Sequence, residues 1–530
     1  MAERGDHADL VVLDGDVWTG DPETPRAKAL AARDGLLVAV GANAEAERWV
    51  GEATEVLELA GAFVCPGFVD AHTHVASAAG RASWLKLDDC GSLEDVLARV
   101  AERAKAGGWV LGRGWDESRW PTARYLTRQD LDAVTGKVPA VLVRVDGHML
   151  TCNTAALEEL RVPADLAIQE RDAGGQPTGV LKEAAANLAW ERMKATAEDI
   201  LAGLPATVRH LHSLGITSIH DFVGAEGMRA WTRWRQGSPT LRVYTCVLEG
   251  EVFAEVSSGG LSTGMGDDWL RLGAAKVFGD GSLGARTAAL SRPYADDRKE
   301  RGLLVHPLPE LRDRFREAHY GAFQIAAHAI GDRAVSLVAK EIASLEGEGH
   351  RHRIEHFELP TDEILDLARE KGLLASMQPN FVAQWSQPGG MYERRLGKRV
   401  ARNNPYREIL KRGIPLGFGS DGMPYGPLYG IHAAVNAPYE VQRLTAEEAL
   451  RAYTAGGAYA ASEEARKGTL TKGKLADLVV LSESPLEHPG RIDRIAVEST
   501  VVHGRIVWEA PEAGERGPGE PAPRDSFLRG

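Results

Sequence analysis

Cysteine is scarce. The four in 530 residues, Cys65, Cys90, Cys152 and Cys246, are widely spaced and form no C-x-x-C pair. Neither a disulfide framework nor a cysteine-built zinc site is indicated, and reduced thiols in a cytoplasmic setting are expected. Basic charge is in deficit as well: 62 lysines and arginines against 75 acidic residues leave −13 at neutral pH. That balance argues against a nucleic-acid binder and against a protein drawn to anionic membranes. No run reaches about 18 uninterrupted apolar residues, so no membrane-spanning helix is expected. The opening MAERGDHADLVVLDGD breaks its one apolar run with acidic residues, which leaves no signal-peptide core. What is present, 44% hydrophobic and 26% charged residues, suits a chain with a large buried interior. Its length allows about three or four domains of roughly 100–200 residues.

One hexapeptide occurs twice: Ala8-Asp9-Leu10-Val11-Val12-Leu13 returns as Ala476-Asp477-Leu478-Val479-Val480-Leu481. Both copies read as short buried strands with further β-rich stretches after them, so one β-domain drawn from residues 1–62 and 470–510 is expected. Between these ends, apolar β-rich runs alternate with amphipathic stretches, as in βα units around a parallel sheet. Runs in which an apolar strand ends on a polar residue number eight: FVCPGFVDAHTH, GITSIHD, LRVYTCVL, GAAKVFGDG, FQIAAHAIGD, RIEHFEL, LLASMQP and IPLGFGSDG. They predict an α/β fold, a (β/α)8 barrel over residues 63–469 with its chemistry at the C-terminal strand face. An open doubly wound sheet is the competitor, but no G-x-G-x-x-G follows a first strand. The distance from the first run to the second exceeds what one βα loop needs, so an inserted subdomain at about 76–210 is expected. It carries Trp84, Trp109, Trp115 and Trp120, which either pack a core or wall a substrate pocket. The Pro-, Gly- and charge-rich tail, 511–530, is expected to be disordered.

Asp70-Ala71-His72-Thr73-His74 closes the first run, and side chains at i and i+2 of a strand share a face, so His72 and His74 can present two imidazoles to one point. Later strand ends add Lys276, His328, His356 and Asp421, which a barrel would converge on its axis. Imidazoles with a carboxylate form a nitrogen–oxygen site for zinc, or for manganese, iron or cobalt. His148, in D-G-H of the insert, either contacts a substrate carbonyl or leaving group or caps a strand end. His220, beside Asp221 at the second strand end, is a candidate pocket residue. His210, His212, His350 and His352 fall in charged surroundings and read as solvated.

These residues carry a resemblance. P-G-F-V-D-A-H-T-H (Pro66–His74), D-G-H with Asn153, Ala156 and Leu157, K-V-F-G-D-G-S-L-G-A-R-T-A (Lys276–Ala288), H-A-I-G-D-R-A (His328–Ala334), I-E-H (Ile354–His356), G-S-D (Gly419–Asp421) and G-K-L-A-D-L-V-V-L (Gly473–Leu481) span nearly the whole chain. Together they resemble the amidohydrolase superfamily, and within it amidohydrolase family 3, which includes the N-substituted formamide deformylases. The resemblance implies a distorted barrel flanked by a β-sandwich built from both termini. It implies that His72 and His74 bind one metal with Asp421, that His328 and His356 bind a second, and that Lys276 stands where a carboxylated lysine bridges the two. A lysine stripped of water loses its proton readily, and the neutral amine can take up carbon dioxide to give an anionic carbamate. An ion pair with Asp280 is the plainer reading of Lys276.

The implied activity is hydrolysis of a C–N bond in a small amide, formamide or cyclic amide. Metal-activated water attacks, and Asp421 moves its proton to the leaving amine. The implied cofactor is a divalent metal, zinc before others, one or two ions per chain, with N6-carboxylation of Lys276. The implied partner is a small-molecule substrate, with a homodimer as the one oligomer entertained. Two alternatives stand beside this: a mononuclear heterocycle deaminase with Lys276 uncarboxylated, and a non-catalytic barrel scaffold or regulatory protein.

Overall fold

The computed structural model describes residues 7–511 except 118–119, 123, 145–148, 163–168, 172–173, 183–185, 187–188, 190–192, 194 and 348–350. His148 and all of the tail beyond Pro511 lie outside the described residues. Among the described residues no helix is long and apolar enough to cross a membrane.

The eight runs read from the sequence are the eight strands of a single sheet, numbered β1–β8 in chain order: β1 (Phe68–Thr73), β2 (Ile216–Val223), β3 (Arg242–Leu248), β4 (Leu270–Phe278), β5 (Ile325–Ala329), β6 (Arg353–His356), β7 (Leu374–Met377) and β8 (Leu416–Phe418). Every neighbouring pair is parallel. Helices cover the outer face, so the strands are buried on both sides and read as near-continuous apolar runs. The helix Asp332–Ala343 shows the rule: Ala334, Val335, Val338, Ala339 and Ile342 recur at helical spacing and are buried.

No ladder joins β8 to β1; polar groups close the barrel there. The buried Asp70 carboxylate accepts the Ser420 amide at 2.8 Å and its hydroxyl at 2.5 Å, and the Asp421 amide donates to the His72 carbonyl at 2.8 Å. Gly419 makes the approach possible, because a Cβ there would lie 2.3 Å from the His72 nitrogen. Closing the barrel therefore also sets Asp421 beside His72.

The chain ends build two sheets. Leu10–Leu13 runs centrally in a four-stranded sheet, between Ala29–Arg33 and Glu55–Glu58. Leu478–Leu481 runs centrally in a six-stranded one, between Val497–Val502 and Phe63–Pro66. The N- and C-terminal segments share that second sheet, with Val479 opposite Cys65. Leu10, Val12 and Leu30 from one sheet pack with Val64, Leu478, Val480 and Val501 from the other in one buried cluster.

The repeated hexapeptide thus supplies one strand to each layer, yet its two aspartates differ. Asp477 is buried and forms a bidentate pair with Arg242 of β3, at 2.6 and 2.8 Å, besides accepting the His503 amide. Asp9 is exposed and accepts only the Asp34 amide among the bonds resolved for its side chain. Removing one partner of a buried pair strands the other charge, so Asp477→Ala is expected to destabilise the protein by about 3–5 kcal/mol. Asp9→Ala, losing a solvent-accessible hydrogen bond, is expected to lose about 0.5–1.5 kcal/mol. Parallel urea melts of the two variants check the contrast, and equal losses would refute it.

Residues Ala78–Gly203 form a compact unit of their own. Its sheet runs in the order Gln169–Arg171, Pro177–Lys182, Met149–Cys152, Ala140–Arg144, Val110–Trp115, Leu85–Lys86. The four tryptophans pack inside it. Trp115 and Trp120 stack at 5.7 Å between centroids and donate to the carbonyls of Leu142 and Cys90, while Trp84 and Trp109 pack with Val141 and Leu150. Asn153, from the D-G-H segment, caps the helix Thr154–Glu159 by accepting the Ala156 amide.

Candidate metal centre

Each strand end that carries a candidate ligand also carries, or faces, a group that orients it. On β1, His72 is buried and its Nδ1–H donates to Glu355 Oε2 at 2.6 Å. That leaves Nε2 3.6 Å from Asp421 Oδ1. On β6, His356 Nδ1–H donates to Gln378 Oε1 at 2.7 Å, freeing its Nε2. On β5, His328 Nε2–H donates to the Gly281 carbonyl at 3.1 Å, freeing Nδ1. An oxygen acceptor on one ring nitrogen forces the proton there and leaves the other lone pair for a cation, the usual arrangement around metal-bound histidine.

Three of the candidate ligands converge. One donor atom each from His72, His356 and Asp421 lies within 4.8 Å of the others. His74 Nε2 stands 3.1 Å from Asp421 Oδ1, and the His328 and His356 rings are 4.5 Å apart. Cation bonds near 2.0–2.2 Å close such gaps with small side-chain movements, so the donor set fits a divalent metal. The tightest group is His72, His356 and Asp421, whereas the resemblance joins His72 and His74 to Asp421. His74, just beyond β1, is 38% exposed and marks the open side of the cluster.

The electrostatics suit cation binding. Burial holds the pKa of His72 and His356 well below the ordinary imidazole value and brings His328 to about 4, so all three are neutral and able to ligate. Burial opposes ionisation of Asp421, but the surrounding charges and its bond to His74 outweigh it and lower its pKa to about 2. Desolvation likewise pulls Lys276 below its usual range, against the pull of Glu355 and Asp421. Its Nζ lies over the rings of Phe222 and Phe278, at 4.4 and 5.0 Å.

The ion pair between Lys276 and Asp280 does not form. Asp280 is buried and spends its oxygens on the amides of Ala289, Ile330 and Gly331, fastening the loops after β4 and β5. Asp221 is structural in the same way: it accepts the Val75 and Ala76 amides and the Trp231 indole, which fixes the turn after His74. His220 is not brought to the cluster. It is fully buried, its Nδ1 accepts from Arg353 at 2.8 Å, and its ring packs on Tyr244, so it does not line an open pocket. Two histidines read as solvated are buried instead: His212 bonds to the Ile216 carbonyl and Thr240, and His352 bonds to His319 at 2.9 Å. Both lie on the covered side of charged segments, where composition hides the facing.

Glu355, Arg353, Gln378 and Asp70 were missed by sequence reasoning. The available signal was R-I-E-H, two charges at i and i+2 in a strand whose neighbours are apolar. Backbone geometry adds another mark: His356 and Asp421 adopt φ of 70° and 56°, the left-handed region that non-glycine residues occupy at a cost.

Just past His356, Glu358 is buried and accepts from Asn403 and Tyr392, and burial raises its pKa from 4.5 to about 7. The native state therefore holds this proton more tightly than the unfolded chain does. Stability falls as pH rises from about 4.5 to about 7 and then levels off. Glu358→Gln removes the titration and can still accept from Asn403 while donating to Tyr392. The variant is expected to gain up to roughly 3 kcal/mol over the parent at pH 8 and almost nothing below pH 4.5. Melting both proteins at the two pH values checks this; a pH-independent difference would refute it.

Comparison with known proteins gives this geometry a family. The Amidohydro_3 model, described as an amidohydrolase family, matches residues 55–508. YtcJ of Bacillus subtilis (strain 168), whose name classes it with the amidohydrolases, is 30% identical over 93% of this chain and 98% of its own. The N-substituted formamide deformylase of Arthrobacter pascens is 26% identical over 94% of this chain and 98% of its own. Among solved structures, an uncharacterized metal-dependent hydrolase from Pyrococcus horikoshii OT3 has a TM-score of 0.79 and 27% identity, covering 90% of this chain and 98% of that one. With a match of that extent, over a barrel whose strand ends gather imidazoles and a carboxylate, the chain belongs to the amidohydrolase family, hydrolases acting on carbon–nitrogen bonds.

Proposed function

We propose that this protein hydrolyses the C–N bond of a small organic amide, formamide or cyclic amide, and that His72, His74, His328, His356 and Asp421, with Lys276 as a carbamate, would hold the zinc. The observation that carries the reading is the convergence of three donor atoms within 4.8 Å, with the outer nitrogens of His72 and His356 already bonded to acceptors. A divalent cation in this position supplies an acidified water and a Lewis acid for the scissile carbonyl. Asp421, ionised through the physiological range, accepts the proton of the attacking water and delivers it to the departing amine. His74 Nε2 stands 3.1 Å from the same carboxylate on the open side, close enough for the two to share one cation. Burial keeps water away from Lys276 and favours the neutral amine, which adds to carbon dioxide with loss of one proton to give the carbamate. The four buried thiols and the acidic charge support a cytoplasmic setting.

One observation favours a second reading. Among the described residues, the ligand group whose donor atoms lie within 4.8 Å of one another holds three residues, which suits a single ion and an unmodified Lys276. Elemental analysis of purified protein, with a panel of N-substituted formamides, cyclic amides and amino-heterocycles, separates the two. Two ions and turnover of formamides or cyclic amides are expected. One ion with ammonia released from heterocycles would establish the deaminase, and no turnover across the panel would favour a scaffold.

A further inference from the structure

A buried ion pair lies beneath the ligand cluster, and the hydrolytic reading uses only the bond between its Glu355 and His72. Arg353 and Glu355 stand at i and i+2 on β6, both fully buried, and point into the barrel. Arg353 Nε donates to Glu355 Oε1 at 2.5 Å and Nη2 to Oε2 at 3.0 Å. The same guanidinium reaches the Ala71 carbonyl on β1 at 2.5 Å, Ser376 Oγ on β7 at 2.8 Å and His220 Nδ1 on β2 at 2.8 Å. Glu355 Oε2 in turn receives His72 Nδ1–H from across the barrel, at 2.6 Å.

A buried ion pair adds little stability over a well-packed apolar pair, so stability alone does not account for two charges in this interior. What apolar side chains cannot do is accept the Nδ1 proton of His72. With that proton accepted by Glu355, the lone pair of His72 is confined to Nε2, the atom facing Asp421. Arg353 leaves Glu355 few alternatives, since it binds both carboxylate oxygens and ties the residue preceding His72 to the same point.

We propose that Glu355 is a positioning residue for the metal centre: it selects the tautomer and ring orientation of His72 that present Nε2 to the cation, and Arg353 holds Glu355 in place. The inference rests on the proposed function only in requiring a divalent cation at His72.

The test uses cobalt(II) as probe on full-length metal-free protein, following the visible ligand-field bands and competition with a chelator. Glu355→Gln alone would strand a buried guanidinium, so both comparisons combine the change at Glu355 with Arg353→Met, which leaves neither double variant an unpaired charge. Arg353→Met/Glu355→Leu, with no acceptor for His72, is expected to bind cobalt about 10–100-fold more weakly than wild type and to show altered bands. Arg353→Met/Glu355→Gln retains a carbonyl acceptor but loses its clamp, and is expected to recover part of the affinity and to shift the bands back toward the native spectrum. A purely structural role would shift both variants equally. If the leucine variant binds cobalt with wild-type affinity and bands, or if glutamine rescues nothing, Glu355 has no positioning role. If wild-type protein itself binds no cobalt, the metal centre of the proposed function fails, and this inference fails with it.

Discussion

Asp421→Asn is expected to lower kcat by about 10³–10⁴ on any amide the wild-type protein turns over, with the folded state unchanged. Asparagine matches aspartate in size and tolerates the left-handed φ of 56° found here. The barrel seam survives the change because the bond from residue 421 to the His72 carbonyl is made by the main-chain amide. What disappears is the negative oxygen within 3.1 Å of His74 and 3.6 Å of His72. Without it, no group on β8 can take the water proton or offset the charge of a cation. Steady-state kinetics, with circular dichroism melts of both proteins, check the prediction. Activity within tenfold of wild type would remove Asp421 from the proton path.

Lys276→Ala is expected to lose activity chiefly by losing metal. The carbamate needs the amine, and alanine removes the group whose charge lowers the pKa of His72, His328 and His356 alike. A loss of several kcal/mol of transition-state stabilisation corresponds to about 10²–10³-fold in rate. Metal content should fall together with rate. Short carboxylic acids, small enough to enter the vacated space, should restore part of both, because a free carboxylate can replace the carbamate as an anionic oxygen ligand. Unchanged metal content and near-full activity in the alanine variant would overturn the bridging role, and if that content is one ion per chain the single-ion reading becomes the better one.

Much of the barrel was legible because its information is local. Each strand is a largely apolar run of a few residues with a polar one close to its end, and in a (β/α)8 barrel those ends meet at one face. Strand count and candidate ligands therefore followed together from D-A-H-T-H, K-V-F, A-A-H, I-E-H and G-S-D. The terminal strands were legible for a similar reason, although the repeated A-D-L-V-V-L said nothing of which sheet each copy joins.

Groups that act across the barrel were not legible. Glu355 and His72 are separated by 283 positions and meet at 2.6 Å. Asp70 reads as part of a metal motif, yet it closes the barrel by accepting from Ser420, 350 positions away. His220 has the same residue type and strand-end position as the ligands, yet it faces Arg353 and Tyr244 inside the wall. Asp9 and Asp477 sit in identical hexapeptides, and only the second meets an arginine.

The sequence by itself determined which segments become strands and which residue types stand near their ends, because a continuous apolar run and the residues that close it are read over a few positions. Tertiary structure alone decided which nitrogen of each histidine is free, which carboxylates are buried, and which residues support the ligands without joining them. Those outcomes depend on acceptors and dielectric surroundings brought by distant strands, and only closure of the barrel brings them within hydrogen-bonding range.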